Sequence, residues 1–209
     1  MTETDECVEA EIVRLTPSAT NEAKTILYHA YKGEPTFTYL FDSSRAGYDQ
    51  RVRASIRELI ELHFAHKQDV IGLSINDHLI GIALVGSPTV RLNLADQFNW
   101  RMRMMLTAGL SSTRRYIDYH MQVKACFPGT EYHQLPLMGI DVRYQHKGYG
   151  RILLNAVEKL CNENPRSCGI GLDTGNTRYL KFYESMGYKK VGAIELGNFT
   201  ETVLFKSRT

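Results

Sequence analysis

The chain is poor in residues that staple, span or repel. It has 4 cysteines in 209 residues. Cys7, Cys126, Cys161 and Cys168 show no C-x-x-C spacing, which excludes a disulfide framework or a zinc ribbon and leaves reduced thiols as the expectation. Only 6 prolines are present, and no Pro-rich or low-complexity run separates one half of the chain from the other. Charge nearly cancels, with 25 Lys and Arg against 23 Asp and Glu, a formal net charge of +2. That balance argues neither for nor against nucleic acid; with no long like-charge block, no nucleic-acid partner is expected. The most apolar stretch, residues 71–85, is broken by Asn76-Asp77-His78 and is too short to cross a bilayer, so no membrane partner is expected either. The first six residues are acidic and polar, unlike a secretory leader, and the expected location is cytoplasmic.

What remains is ordinary globular composition, 43% hydrophobic and 23% charged, enough for one core and a single domain over residues 1–209. Residues 1–10 read as a loose terminus. Alternation predicts a strand over 11–15, and Thr16-Pro17-Ser18 opens a helix continuing over 19–31. Residues 33–47 read as aromatic and irregular, and 51–66 as a second helix. The runs 70–75 and 78–85, joined by Asn76-Asp77, read as a β-hairpin. Residues 91–123 are helical in composition, broken at 109–112. After a turn at 127–130 come a strand at 132–142, a helix at 150–162, a strand at 169–173, a helix at 177–186 and strands at 188–194 and 199–206.

The richest segment is Gln145-His146-Lys147-Gly148-Tyr149-Gly150, between the apolar run 135–142 and an amphipathic run from Arg151. A strand, a glycine-bearing turn and a helix in that order aim backbone N–H groups and the positive helix end at one point, the natural seat of a phosphate. A nucleotide-triphosphatase loop needs Lys then Ser or Thr after its second glycine; here Lys147 precedes Gly148 and Arg151 follows Gly150. A dinucleotide fingerprint needs a third glycine where Leu153 stands. The remaining guest is the pyrophosphate of coenzyme A. The pattern Gln-x-x-Gly-x-Gly after an apolar strand resembles motif A of the GNAT superfamily of N-acetyltransferases. Asn176 after a short strand, and Phe182-Tyr183-Glu184-Ser185-Met186-Gly187-Tyr188, resemble that family's downstream and closing motifs. Together they cover about residues 131–191, and the sequence over 132–150 is most similar to the branch that includes puromycin N-acetyltransferase.

This resemblance implies a mixed α/β fold, with a central mixed sheet and helices on both faces. Residues 131–191 would form an acetyl-CoA-binding core and 11–130 the acceptor side. Acetyl-CoA would be co-substrate, no metal would be needed, and the acceptor would be a small-molecule amine; a homodimer is compatible with this reading. The N–H groups of Gln145, His146, Lys147, Gly148, Tyr149, Gly150 and Arg151 would cradle the pyrophosphate. Backbone groups of Ile140 and Val142, flanking Asp141, would pair with the pantetheine amides, and an N–H at or near Ile140 would face the developing oxyanion. Tyr183 would protonate the leaving thiolate, although its helix also needs core aromatics. Asn176 reads equally as a cofactor contact and as a helix N-cap. For the base, Glu131, His133 and Asp141 lie on or beside the central strand; His133 titrates in a useful range, yet a strand histidine is commonly just packed. His63 and His66 have the spacing for a metal but nothing completes a site.

Tyr28, Tyr31, Phe37, Tyr39, Phe41 and Tyr48 are candidates to line an acceptor pocket or to fill the core. Arg101, Arg103, Arg114 and Arg115 are candidates to attract an acidic acceptor, or plain solvated cations. Three features depart from the family pattern: Val142 stands where proline is common, His146 where glycine is usual, and the bulky Tyr149 where a small aliphatic residue is. The competing classes are a non-catalytic acyl-CoA-binding regulatory module and a protein or peptide N-acetyltransferase.

Overall fold

The computed structural model describes residues 10–129 and 131–208; the expected loose terminus before Ala10, including Cys7, lies outside them. The described residues form a seven-stranded sheet in the order β1-β2-β3-β4-β5-β7-β6. The strands are β1 (Ala10–Arg14), β2 (Asp69–Ile75), β3 (His78–Gly86), β4 (His133–Ile140), β5 (Gly169–Thr174), β6 (Lys189–Leu196) and β7 (Phe199–Ser207). Every neighbouring pair is antiparallel except β4 and β5, which run parallel. The fold is therefore the mixed α/β sheet that the sequence predicts, with helices on both faces. Cys126, Cys161 and Cys168 are free thiols.

One face carries α1 (Thr20–Tyr31), α3 (Tyr48–Ala65) and α4 (Leu94–Ala108), whose Ala23, Leu27, Ile56, Ile60 and Met104 share a buried cluster with Ile82 and Leu84 of β3. The other face carries α6 (Tyr149–Glu163). Its apolar side chains recur at helical spacing, so Leu153, Leu154, Val157 and Cys161 all meet Ile80, Ala83 and Val85. α7 (Thr177–Ser185) brings Phe182 and Tyr183 to the same cluster. The end of α5 (Leu110–Cys126) packs Val123 against Val203 and Phe205 of β7. The β2–β3 turn is a two-residue hairpin because Asn76 and Asp77 both adopt left-handed φ, 49° and 61°. The helical region after residue 91 breaks at Gly109 alone, whose φ of 87° few other residues adopt easily.

The sequence reading misses α2 (Pro35–Leu40). Six residues are too few to show a 3.6-residue period, and the usable signal is proline at the first helical position after an extended Glu34.

Strand β4 positions the site. It pairs with β5 only at His133↔Ile170 and Gln134↔Gly171, after which the two strands separate. Pro136 falls where the β3–β4 register shifts, between Leu84↔Leu137 and Gly86↔Gln134, a bulge where a proline does not break a regular ladder. Beyond it, Asp141 N–H donates to Ile80 C=O at 2.7 Å. Antiparallel alternation then turns the backbone groups of Met138 and Ile140 away from β3 and into the gap on the β5 side. Gly139 lets α1 approach: a Cβ there would lie 2.9 Å from the Cβ of Ala30.

Candidate active site

The gap between β4 and β5 opens into a cleft of about 580 Å³. Of the residues predicted from sequence, Ile140, Gln145, His146, Gly148, Gly150, Arg151, Asn176 and Tyr183 line it together. At one end is the turn into α6. Gly148 takes a left-handed φ of 87°, and a Cβ there would project into open space at the mouth of the cleft. Arg151 N–H is tied to Gly148 C=O, so the N–H groups of Tyr149 and Gly150 are the first-turn donors available to an anion. Arg151 also reaches Ser185 on α7, and Arg178 adds a second cation to the lining. Donors, cations and a glycine-open mouth fit the pyrophosphate of an acyl carrier.

His146 occupies the same left-handed region as a glycine would, with φ 62°, so the turn keeps its shape despite the side chain. That conformation has a cost. We expect His146→Gly to raise stability by about 0.5–1 kcal/mol, the strain relieved less the added unfolded-state entropy, read as a higher denaturant midpoint. Tyr149 resolves its crowding by packing edge-on against Tyr144, ring centroids 6.1 Å apart.

Several predicted contacts are not brought to the cleft. Val142 begins a 3-10 turn, Val142–Tyr144, rather than extending β4, and is 56% exposed. Asp141 spends its side chain on Arg143, at 2.8 Å, and its N–H on Ile80. Lys147 lies over the Tyr144 ring, 5.5 Å from its centroid. Neither the Lys147 nor the Tyr149 side chain lines the cleft. The reading of His133 as base is corrected. It stands at the far end of β4, is 2% exposed, and hydrogen bonds Ser167 Oγ through Nδ1 at 2.7 Å; burial holds its pKa below the ordinary value. Glu131 also lies outside the cleft lining.

Ile140 lines the cleft with half its backbone already used. Gln145 Nε2 donates to Ile140 C=O at 2.9 Å, which leaves the Ile140 N–H directed into the gap. The Tyr31 hydroxyl bridges both backbone groups of Met138, accepting from its N–H at 3.0 Å and donating to its C=O at 3.2 Å.

Tyr183 lines the cleft with its hydroxyl free of hydrogen-bond partners among the described residues. Burial, then the nearby Asp173 charge, raises its pKa above the ordinary tyrosine value, so it keeps its proton. Asn176 lines the cleft and is the N-cap of α7. Its Oδ1 caps α7 by accepting from Arg178 N–H at 3.0 Å, and its Nδ2 donates to both carboxylate oxygens of Glu34 at 3.1 Å.

Sequence reasoning overlooks three acids of the lining, Glu34, Asp173 and Glu201. Burial raises the pKa of Glu34, opposed by the Asn176 hydrogen bond and the Arg178 charge. Glu201 is 1% exposed, accepts from Thr36 Oγ1 at 2.5 Å, and is pushed up to about 9 by burial and then by Asp173. Burial also raises Asp173, whose carboxylate accepts from the Tyr119 hydroxyl. The signal available for Glu201 was parity: it shares the inward face of β7 with Val203 and Phe205. Because the folded pKa of Glu201 exceeds its ordinary 4.5, its stabilising effect is complete at low pH and is lost as pH rises through about 9. Glu201→Gln is expected to flatten that decline, measured as denaturant midpoints at about pH 5, 7 and 9.

Tyr31 and Phe37 of the aromatic candidates reach the cleft, whereas Tyr28 and Phe41 are core. The middle-helix arginines do not line it: Arg103 pairs with Glu58 and Glu61, Arg114 with Asp118, and Arg115 donates to Tyr39 C=O. His63 is buried and bonds Leu59 C=O through Nδ1 at 2.8 Å.

A sheet parted between two parallel strands, a glycine turn at a helix start and a half-buried tyrosine meet in one cleft, an arrangement that fits an acyltransferase. The chain belongs to the acetyltransferase (GNAT) family, whose family model matches residues 27–188. GNAT enzymes use acetyl-CoA as co-substrate. Among solved structures, one described as histone acetyltransferase HPA2 and related acetyltransferase from Corynebacterium glutamicum superposes with a TM-score of 0.71 at 17% identity, over 96% of this chain and 97% of that one. Arylalkylamine N-acetyltransferase 2 from Aedes aegypti gives 0.68 at 12% identity, over 96% and 100%. The ribosomal-protein-S18-alanine N-acetyltransferase from Escherichia coli gives 0.58 at 13%, over 96% and 95%. A search of curated protein sequences gives no match. No helix among the described residues is long and apolar enough to cross a membrane.

Proposed function

We propose that the protein transfers the acetyl group of acetyl-CoA to the amine of a small molecule, by direct attack in a ternary complex. The observation that carries this reading is that Tyr183, Glu34 and the free Ile140 N–H border one cleft, with the anion-binding turn at its end. His146, Arg151 and the N–H groups of Tyr149 and Gly150 hold the pyrophosphate, and the Ile140 edge aligns the thioester. Glu34, its basicity increased by burial, takes one proton from the incoming ammonium. A C–N bond forms and the C–S bond breaks. The sulfur leaves with the Tyr183 proton, and the proton shed by the nitrogen restores that hydroxyl. Ile140 N–H stabilises charge on the carbonyl oxygen, a donor of a kind worth about 3–4 kcal/mol in the transition state.

The small-molecule acceptor accords with the resemblance to the puromycin N-acetyltransferase branch and with a structural neighbour named for arylalkylamines. A single domain over residues 1–209 and a cytoplasmic location complete the reading. Steady-state thiol release from acetyl-CoA across a panel of small amines tests it. Intersecting double-reciprocal lines are expected; parallel lines, or no transfer to any amine, would overturn direct attack.

A further inference from the structure

The cleft carries both signs of charge. Arg151, Arg178 and the α6 N–H groups line it together with Glu34, Asp173 and Glu201. Glu34 has Arg178 close enough to lower its pKa, but Asp173 and Glu201 form no ion pair among the described residues. Their partners are two hydroxyls, those of Thr36 and Tyr119, and each other. Glu201 is 1% exposed and Asp173 is half-buried; carboxyl groups so placed are normally matched by a cation, and a purely structural role is served at lower cost by neutral side chains. The cleft is the route by which a cation can reach them, because both line it. Phe37, Pro136 and the Tyr31 ring supply apolar wall to the same cleft.

Resting on the transfer reading above, we infer that the acceptor is a diamine, whose reacting nitrogen is deprotonated at Glu34 while its second ammonium sits against Asp173 and Glu201. The covalent step is unchanged, and the distal ammonium takes no part in bond making. It replaces the proton held by the acidic pair, giving each carboxylate a charge-assisted partner.

The test compares three probes of equal length at saturating acetyl-CoA: cadaverine, n-pentylamine and δ-aminovalerate. Expected kcat/KM falls in that order, with cadaverine ahead of n-pentylamine by about tenfold or more. In Glu201→Gln the ratio of cadaverine to n-pentylamine falls toward one. The order among the wild-type probes stands as a test even if the variant does not fold. Equal use of cadaverine and n-pentylamine, or a preference for δ-aminovalerate, overturns the inference and leaves acetyl transfer intact. No turnover of any probe also overturns it. Calorimetric titration with acetyl-CoA then shows whether the transfer reading falls too, which the absence of any binding heat would mean.

Discussion

Tyr183→Phe lowers kcat by roughly 10²–10³-fold at saturating acetyl-CoA, the range for loss of a positioned general acid, and leaves the acetyl-CoA dissociation constant near its wild-type value. The substitution is conservative in packing. Tyr183 packs at a tilt against Phe182 at 5.2 Å and edge-on against Tyr188 at 5.8 Å between ring centroids, and a phenyl ring keeps both contacts. The lost atom is the hydroxyl directed into the cleft, which makes no hydrogen bond among the described residues, so no buried partner is orphaned. That hydroxyl is protonated at neutral pH, with burial holding its pKa above the ordinary value. Thermal unfolding checks that the variant is intact. Wild-type turnover in a folded Tyr183→Phe protein would remove the acid role.

Glu34→Gln is the second large effect, a loss of roughly 10²–10⁴-fold in kcat/KM at neutral pH. Glutamine retains the length of Glu34 and an acceptor for Asn176 Nδ2, which holds the carboxylate at 3.1 Å. It cannot accept the ammonium proton. In the wild type, activity falls as pH drops through the Glu34 pKa, a limb displaced above the usual glutamate range by burial. In the variant that limb is absent. The rate instead climbs tenfold per pH unit toward the amine pKa, near about 10, as solution supplies neutral amine. A variant profile parallel to the wild type would assign the base elsewhere.

Much of this architecture was legible because periodicity is a strong signal in long elements. Ile152, Leu153, Ala156, Val157, Leu160 and Cys161 marked α6, and Asn76-Asp77 marked the β2–β3 turn. The glycine turn was legible from two glycines at a strand-to-helix junction, and Gly148 and Gly150 line the cleft. The proposed base was not. The sequence candidates Glu131, His133 and Asp141 lie on or beside β4, whereas Glu34 enters from a helix start about a hundred residues before His133, and Asp173 and Glu201 from strands on the other side of the gap. Convergence of that kind is a property of topology, and no local pattern in the chain encodes it. Val142 failed for a different reason. The capping bond from Arg143 N–H to Asp141 Oδ1, at 3.0 Å, turns the chain into a short helix just after Ile140 and ends the strand there.

The bridging of Met138 by the Tyr31 hydroxyl restricts what can dock along β4. A polypeptide adding itself to a sheet needs successive rungs of N–H and C=O groups. Here Pro136 has no N–H to give, Met138 is plugged at both atoms, and the Ile140 oxygen is claimed by Gln145. One rung is left, at the mouth. An inserted peptide strand would find no ladder to climb, while a slender chain ending in an amide or thioester needs no more than that single step.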